Sequence, residues 1–137
     1  MTTLLASGVA ALIIDQHSKN LVRLYSSDRA LPAGSVVRFR YVRHVHDSYE
    51  RPHIRVLFVL SWAAAFIASI LLQRTGEWFQ SPAASIGLGF ALGGAAGNLI
   101  DILRLRHVVD FVDLRWWPLF NVADLAITAG LPLAFLA

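Results

Sequence analysis

"GNLIDILRLRHVVDFVDL", Gly97 to Leu114, decides what kind of molecule this is. It leaves a long apolar run, yet it holds one asparagine, three aspartates, two arginines and a histidine. The rest of the chain looks built for lipid. Of 137 residues, 56% are hydrophobic and 15% are charged, with a mean hydropathy of +0.56. Soluble domains carry nearer ~25% charged residues, so a membrane protein is the better reading. The length suits one domain. There is no cysteine, which excludes disulfides, thiol nucleophiles and cysteine metal sites. The formal charge is a modest +3, and 11 of the 12 basic residues are arginine, a residue suited to phosphate and headgroup contacts. Nucleic acid is a poor partner, because the basic residues are interspersed with membrane-like segments.

Working outward from that stretch, four apolar segments appear. Thr3 to Ile14 is short, Val56 to Leu72 has 17 residues, Ala83 to Leu103 has 21 and Leu119 to Ala137 has 19. A helix needs ~20 residues to cross a bilayer, with ~17 as the lower limit. The last three qualify, and the first does if its helix continues through Asp15 to about Val22. A signal peptide is disfavoured there, since no basic n-region precedes the segment and no clean small-x-small site follows it. The expected organisation is a single integral membrane domain over residues 1–137, with spans at about 3–22, 56–72, 83–103 and 119–137 and a polar β-like insert at about 23–55.

Within the insert, Val37, Phe39 and Tyr41 alternate with Arg38 and Arg40, a period-two strand pattern. Leu31-Pro32-Ala33-Gly34 before it reads as a turn. Bare strand edges are not tolerated in lipid, so a small sheet on the membrane surface is expected. Trp78, Phe79, Trp116 and Trp117 suit interfacial belts. Gly89, Gly93 and Gly97 lie four apart on one helix face and read as a packing seam. The fold class is therefore an all-α membrane protein, a four-transmembrane-helix bundle with a small β-cradle at the membrane surface.

Asp15, Lys19, Asn98, Asp101, Asp110, Asn121 and Asp124 lie in or beside these spans. A charge at the bilayer centre costs ~2.5–3.5 kcal/mol on insertion scales, so each is a functional candidate. Asn98 and Asp101 are three apart near the end of span three. Asn121 and Asp124 repeat that spacing at the start of span four. Asp15 and Lys19 are four apart and can pair along a helix. If the spans alternate in direction, these groups meet at one membrane face. His44-x-His46 lacks the partners of a metal site, so no metal or cofactor is expected. What remains is carboxylate chemistry. Two close aspartates share a proton, one serving as base toward water and the other as acid toward a carbonyl. Spacing alone does not choose among Asp101, Asp110 and Asp113.

Four blocks carry a resemblance. "DQHSK" at Asp15 to Lys19, "GNLID" at Gly97 to Asp101, "VVDF" at Val108 to Phe111 and "FNVAD" at Phe120 to Asp124 resemble the signature blocks of lipoprotein signal peptidase (signal peptidase II), in the family's order and at similar spacing. The resemblance implies a metal-free aspartic peptidase of the bacterial cell (inner) membrane, with its active site near the outer face. Its substrate would be a lipid-modified prolipoprotein, cut on the amino side of the diacylglyceryl cysteine. Membrane lipids would be its other partner and a monomer its working form. The resemblance makes Asp110 and Asp124 the catalytic pair, with Asp15, Lys19, Asn98, Asp101 and Asn121 supporting the site. Asp113 and the nearby arginines read as interfacial.

Three positions depart from the family pattern. Ile102 stands where an arginine usually follows the "GNLID" aspartate, which leaves Asp101 without a neighbouring cation unless Arg104 or Arg106 substitutes. Arg106 stands where a glycine usually precedes "VVDF" by two residues. "YVRHVHDSYE", Tyr41 to Glu50, replaces the usual asparagine and "GAAF"-like run, with His44 at the asparagine's place. These departures motivate an alternative, a non-catalytic or altered-specificity relative that binds a lipidated peptide or a lipid. Charge also conflicts with family topology. Eight basic residues lie from Lys19 to Arg55 and three from Arg104 to Arg115, with only Arg74 on the other side; the positive-inside rule would put the site end in the cytoplasm.

Overall fold

The apolar runs fold as helices, and the structure, a computed structural model, describes residues 1–25, 31–33 and 37–137. Helix α1 spans Thr2–Tyr25, α2 Pro52–Thr75, α3 Pro82–Leu105 and α4 Val122–Leu136. Each start has a local cause. Proline at the first turn opens α2 and α3, where a missing N–H costs nothing. The Ser81 hydroxyl accepts from Ala84 N at the start of α3. Asn121 opens α4 in a reciprocal capping box with Asp124. That cap delays α4 to Val122, three residues after the expected span begins, and leaves it only 15 residues long. Among the described residues, two helices are by themselves long and apolar enough to cross a membrane: α2, with a mean hydropathy of 2.2, and α3, with 1.5.

The glycine-rich α3 is the central helix. Its glycines serve two seams. A side chain at Gly93 would strike the backbone of Gly8, so α1 lies directly on it. On another face, a side chain at Gly87 would strike the backbone of Gly130 and Ala134 on α4. The third glycine of the expected run, Gly97, faces the Asp15 carboxylate instead of a helix backbone. Helix α2 packs loosely, held by the Trp62 indole N–H donating to Leu92 O at 2.9 Å. Leu4, Phe79, Leu88, Leu92 and Ala134 form the apolar core. Outward residues of α1, α2 and α4, among them Ile13, Ile14, Leu60, Leu71, Leu125 and Phe135, are exposed, a surface suited to lipid.

Three antiparallel strands form one sheet in the order β1-β2-β3: β1 Leu31–Ala33, β2 Val37–Val45 and β3 His107–Asp113. Leu31 to Ala33, expected as a turn, is a strand paired with Phe39 to Val37. Gly34 lies outside the described residues, as do the side chains on which the alternation at Val37 to Phe39 rests. A short 3-10 helix, η1, follows at Asp47–Glu50. Strand β3 was not expected. It runs straight out of α3 after Arg106, which takes the left-handed conformation (φ 61°) and ends the helix. Its middle, Val108 to Phe111, is buried. The chain then returns through Phe120, whose carbonyl accepts from Phe111 N and Val112 N at 3.1 and 2.9 Å. This closure sets Asn121 and Asp124 beside Asp110.

Candidate active site

The sheet, the end of α3 and the start of α4 bring the expected residues together around two linked clusters. The first is centred on Lys19, only 2% exposed. Its ammonium donates to Asp15 Oδ2 at 2.7 Å, to Asp101 Oδ2 at 2.8 Å and to Asn98 Oδ1 at 3.1 Å. Three donors meet three acceptors, so the buried charge is fully satisfied. Asp15 Oδ1 accepts from Ala123 N at 2.8 Å, which sets a carboxylate at the positive end of α4. Asp101 Oδ2 accepts from Val109 N at 3.1 Å, which anchors β3. Gln16 Nε2 donates to Asp15, Asp101 and the Gly97 carbonyl.

Asp101 therefore has its cation, and it comes from neither Arg104 nor Arg106. Lys19 reaches it from another helix. The Arg106 guanidinium instead donates to Leu103 O at 2.6 Å. Ile102, at the position where the resemblance has arginine, is buried in the apolar interior.

The second cluster holds Asp110 and Asp124. Asn121, fully buried, joins them. Its Nδ2 donates to Asp110 Oδ1 at 2.9 Å and its backbone N–H donates to Asp124 Oδ2 at 3.2 Å. Asn98 Nδ2 donates to Asp124 Oδ1 at 2.9 Å. Because Lys19 can only donate, it fixes the Asn98 oxygen toward itself and leaves the amide nitrogen for Asp124. The first cluster thus orients the second. Burial pushes the Asp110 carboxyl above its ordinary value of 3.8, the charge of Asp124 pushes it further, and His44 and Lys19 pull the other way. Tyr49 of η1 faces the same carboxylate: burial and then Asp110 raise its hydroxyl.

The expected residues converge; helix spacing was the signal for Asp15, Lys19, Asn98, Asp101, Asn121 and Asp124, whereas Asp110, on β3, was singled out only by the resemblance. Two contributors were not anticipated. Gln16 sits inside the "DQHSK" block, where its neutral side chain drew no notice. His44, which stands at the asparagine's place and lacks the partners of a metal site, has its Nδ1 3.2 Å from Asp110 Oδ2, while His46 caps η1 by accepting from Ser48 N. Asp113 pairs with Arg40 at 3.1 Å, away from the pair. Ser18, within "DQHSK", donates to the Asp15 carbonyl of its own helix at 2.8 Å.

An apolar groove of about 290 Å³ runs up to Asp124, lined by Leu114, Trp116, Trp117, Phe120, Leu125 and Thr128.

Comparison with known proteins bears on the whole arrangement. The chain is 46% identical over 122 residues to the lipoprotein signal peptidase of Pelotomaculum thermopropionicum, covering 87% of this chain and 80% of that one. It is 36% identical over 124 residues to that of Moorella thermoacetica, covering 87% and 81%. A solved bacterial membrane enzyme superposes with a TM-score of 0.82 at 20% identity, over 99% of this chain and 92% of its own, so the fold is shared. The family described as Signal peptidase (SPase) II matches residues 8–137, and the chain belongs to that family.

Proposed function

We propose that this chain is a membrane aspartic endopeptidase that removes the signal peptide from lipid-modified prolipoproteins, with Asp110 and Asp124 as its catalytic pair and all four helices crossing the bilayer. The observation that carries this reading is Asn121. One buried residue donates from its side chain to Asp110 and from its backbone to Asp124, holding two carboxylates from different elements at one point.

The surroundings divide the labour. Both oxygens of Asp124 accept from amide N–H groups, which can only donate and so hold that carboxylate in place. Asp110 has one such donor, is buried and is repelled by Asp124, so it carries the shared proton. Asp124 then takes a proton from water, and the hydroxide attacks the scissile carbonyl. Asp110 donates to the carbonyl oxygen as negative charge develops there. Collapse breaks the C–N bond, and the proton on Asp124 passes to the leaving amino group of the lipidated cysteine. The groove beside Trp116 and Trp117 supports a lipidated substrate, since an acyl chain lying in it ends next to Asp124. Asn98, Asn121, Asp15, Lys19 and Asp101 support the pair without touching the substrate.

The test uses purified protein in detergent with a diacylglyceryl-modified prolipoprotein peptide, cleavage being read by mass shift. Asp110→Asn and Asp124→Asn each lower the rate by at least ~100-fold, the contribution of a positioned acid or base, while both variants stay folded. Full processing by either variant sinks the assignment.

A further inference from the structure

His44 lies on β2, which pairs with the strand that carries Asp110. Strand β2 pairs with β3 so that Val42 is opposite Asp110. His44, two residues on, projects from the same face and is the diagonal neighbour, a separation that a long side chain can bridge. The result is the 3.2 Å approach of Nδ1 to Asp110 Oδ2. The Asp110 side chain is 6% exposed, whereas His44 is 63% exposed. A buried carboxylate thus has one oxygen on an amide and the other on a ring that reaches bulk water.

We infer that His44 is a positioning residue for the catalytic pair, holding Oδ2 of Asp110 and, through its own charge, setting the pH range over which Asp110 keeps its proton. This rests on the peptidase reading above. The chemistry follows from what an imidazole can do. Neutral, its Nδ1 accepts from a protonated Asp110. Protonated, it donates and favours the Asp110 anion. Histidine is the side chain that changes between these states near neutral pH. Other charged and titratable groups surround Asp110. Asp124 faces it from α4, Lys19 acts from α1 and Tyr49 faces it from η1. On the sheet, Arg40 is paired with Asp113. His107 has Nδ1 at 2.9 Å from Leu105 O and Nε2 at 3.2 Å from the Tyr41 hydroxyl. The shift at Asp110 agrees with this role, since His44 is among the groups that hold it down.

The test follows the Asp110 carboxyl directly, by the ¹³Cγ resonance of labelled aspartate in detergent micelles, assigned with Asp110→Asn. In His44→Asn and His44→Ala the Asp110 midpoint moves up by about half a pH unit, as loss of a nearby, partly screened cation requires. The basic limb of kcat/KM moves the same way. A merely structural His44 would lower the rate at every pH and leave both midpoints in place. A midpoint within error of the parent protein in both variants overturns the inference. If His44→Ala does not fold, His44→Asn alone decides, because the amide keeps the donor and lacks the charge. The carboxyl titration needs no substrate, so the two readings fail separately. An unmoved midpoint with an inactive Asp110→Asn removes only the role of His44. A moved midpoint with an active Asp110→Asn removes only the peptidase assignment.

Discussion

Lys19 and Asp110 are both buried ionisable residues, yet they bear on stability with opposite sign. Lys19 bridges two carboxylates with every donor used. Lys19→Met leaves Asp15 and Asp101 buried and uncompensated, and removal of one partner from such a network costs ~3–5 kcal/mol. The expected outcome is a large fall in thermal midpoint in detergent, partly restored when Asp101→Asn is added; a double variant no more stable than Lys19→Met would show that the charges are not coupled. Asp110 is the reverse case. Its folded-state value is raised above 3.8 by burial and by Asp124. The folded protein therefore binds that proton more tightly than the unfolded chain. Stability from this group is intact below the unfolded value and declines as pH rises through the folded value. Asp110→Asn should thus melt higher than the parent at pH 7, with the difference shrinking toward pH 4. Melts at a fixed scan rate, followed by tryptophan fluorescence, check this. An equal gain at both values would mean that charge is not the cause.

At the end of α3 a single residue type records a conflict between helix and strand. Arg106 ends α3 in the left-handed region at φ 61°, where the resemblance has glycine. A side chain there costs ~1–2 kcal/mol, which glycine avoids. Arg106→Gly should therefore raise stability by ~1 kcal/mol, the loss of the Arg106 bond to Leu103 O being small at an exposed site. An unchanged or lower melting point would show that the guanidinium holds the turn. The same junction explains what the sequence disclosed and what it hid. Helices α2, α3 and α4 were legible because apolar runs longer than 15 residues have few alternatives, α1 only by continuing its shorter run through Asp15, and the convergence of Asn98, Asp101, Asn121 and Asp124 followed from their three-residue spacing. β3 was hidden because His107 to Asp113 is buried through its middle, so no period-two alternation marks it. The partner of Asp101 was hidden for a different reason. Only tertiary packing places Lys19 of α1 against Asp101 of α3, whereas proximity along the chain favours Arg104 and Arg106. His44 was hidden because its contact depends on strand register, which a bulge between Phe39 and Val42 resets.

Across the whole molecule the two ends differ in kind. Among the described residues, one end holds the sheet, η1, both carboxylate clusters and every basic residue but Arg74. The other is the short turn after α2, with Arg74, Glu77 and the exposed Trp78. The positive-inside rule counts basic residues in loops and would put the crowded end in the cytoplasm. Several of those residues, however, are committed to structure. Lys19 is buried between carboxylates, Arg40 is paired with Asp113 and Arg55 donates to the Tyr49 and Glu50 carbonyls. They are then placed for the fold and do not argue for a cytoplasmic site, and we propose the topology implied by the family, with the pair near the outer face. The chain has no cysteine, so a single introduced thiol reports without background. Asp47 in η1 and Glu77 in the turn after α2 are exposed at opposite ends. Asp47→Cys should react with a membrane-impermeant maleimide on intact spheroplasts, and Glu77→Cys only after lysis. The opposite pattern would place the carboxylate pair on the cytoplasmic side, where a translocated prolipoprotein could not present its cysteine to it.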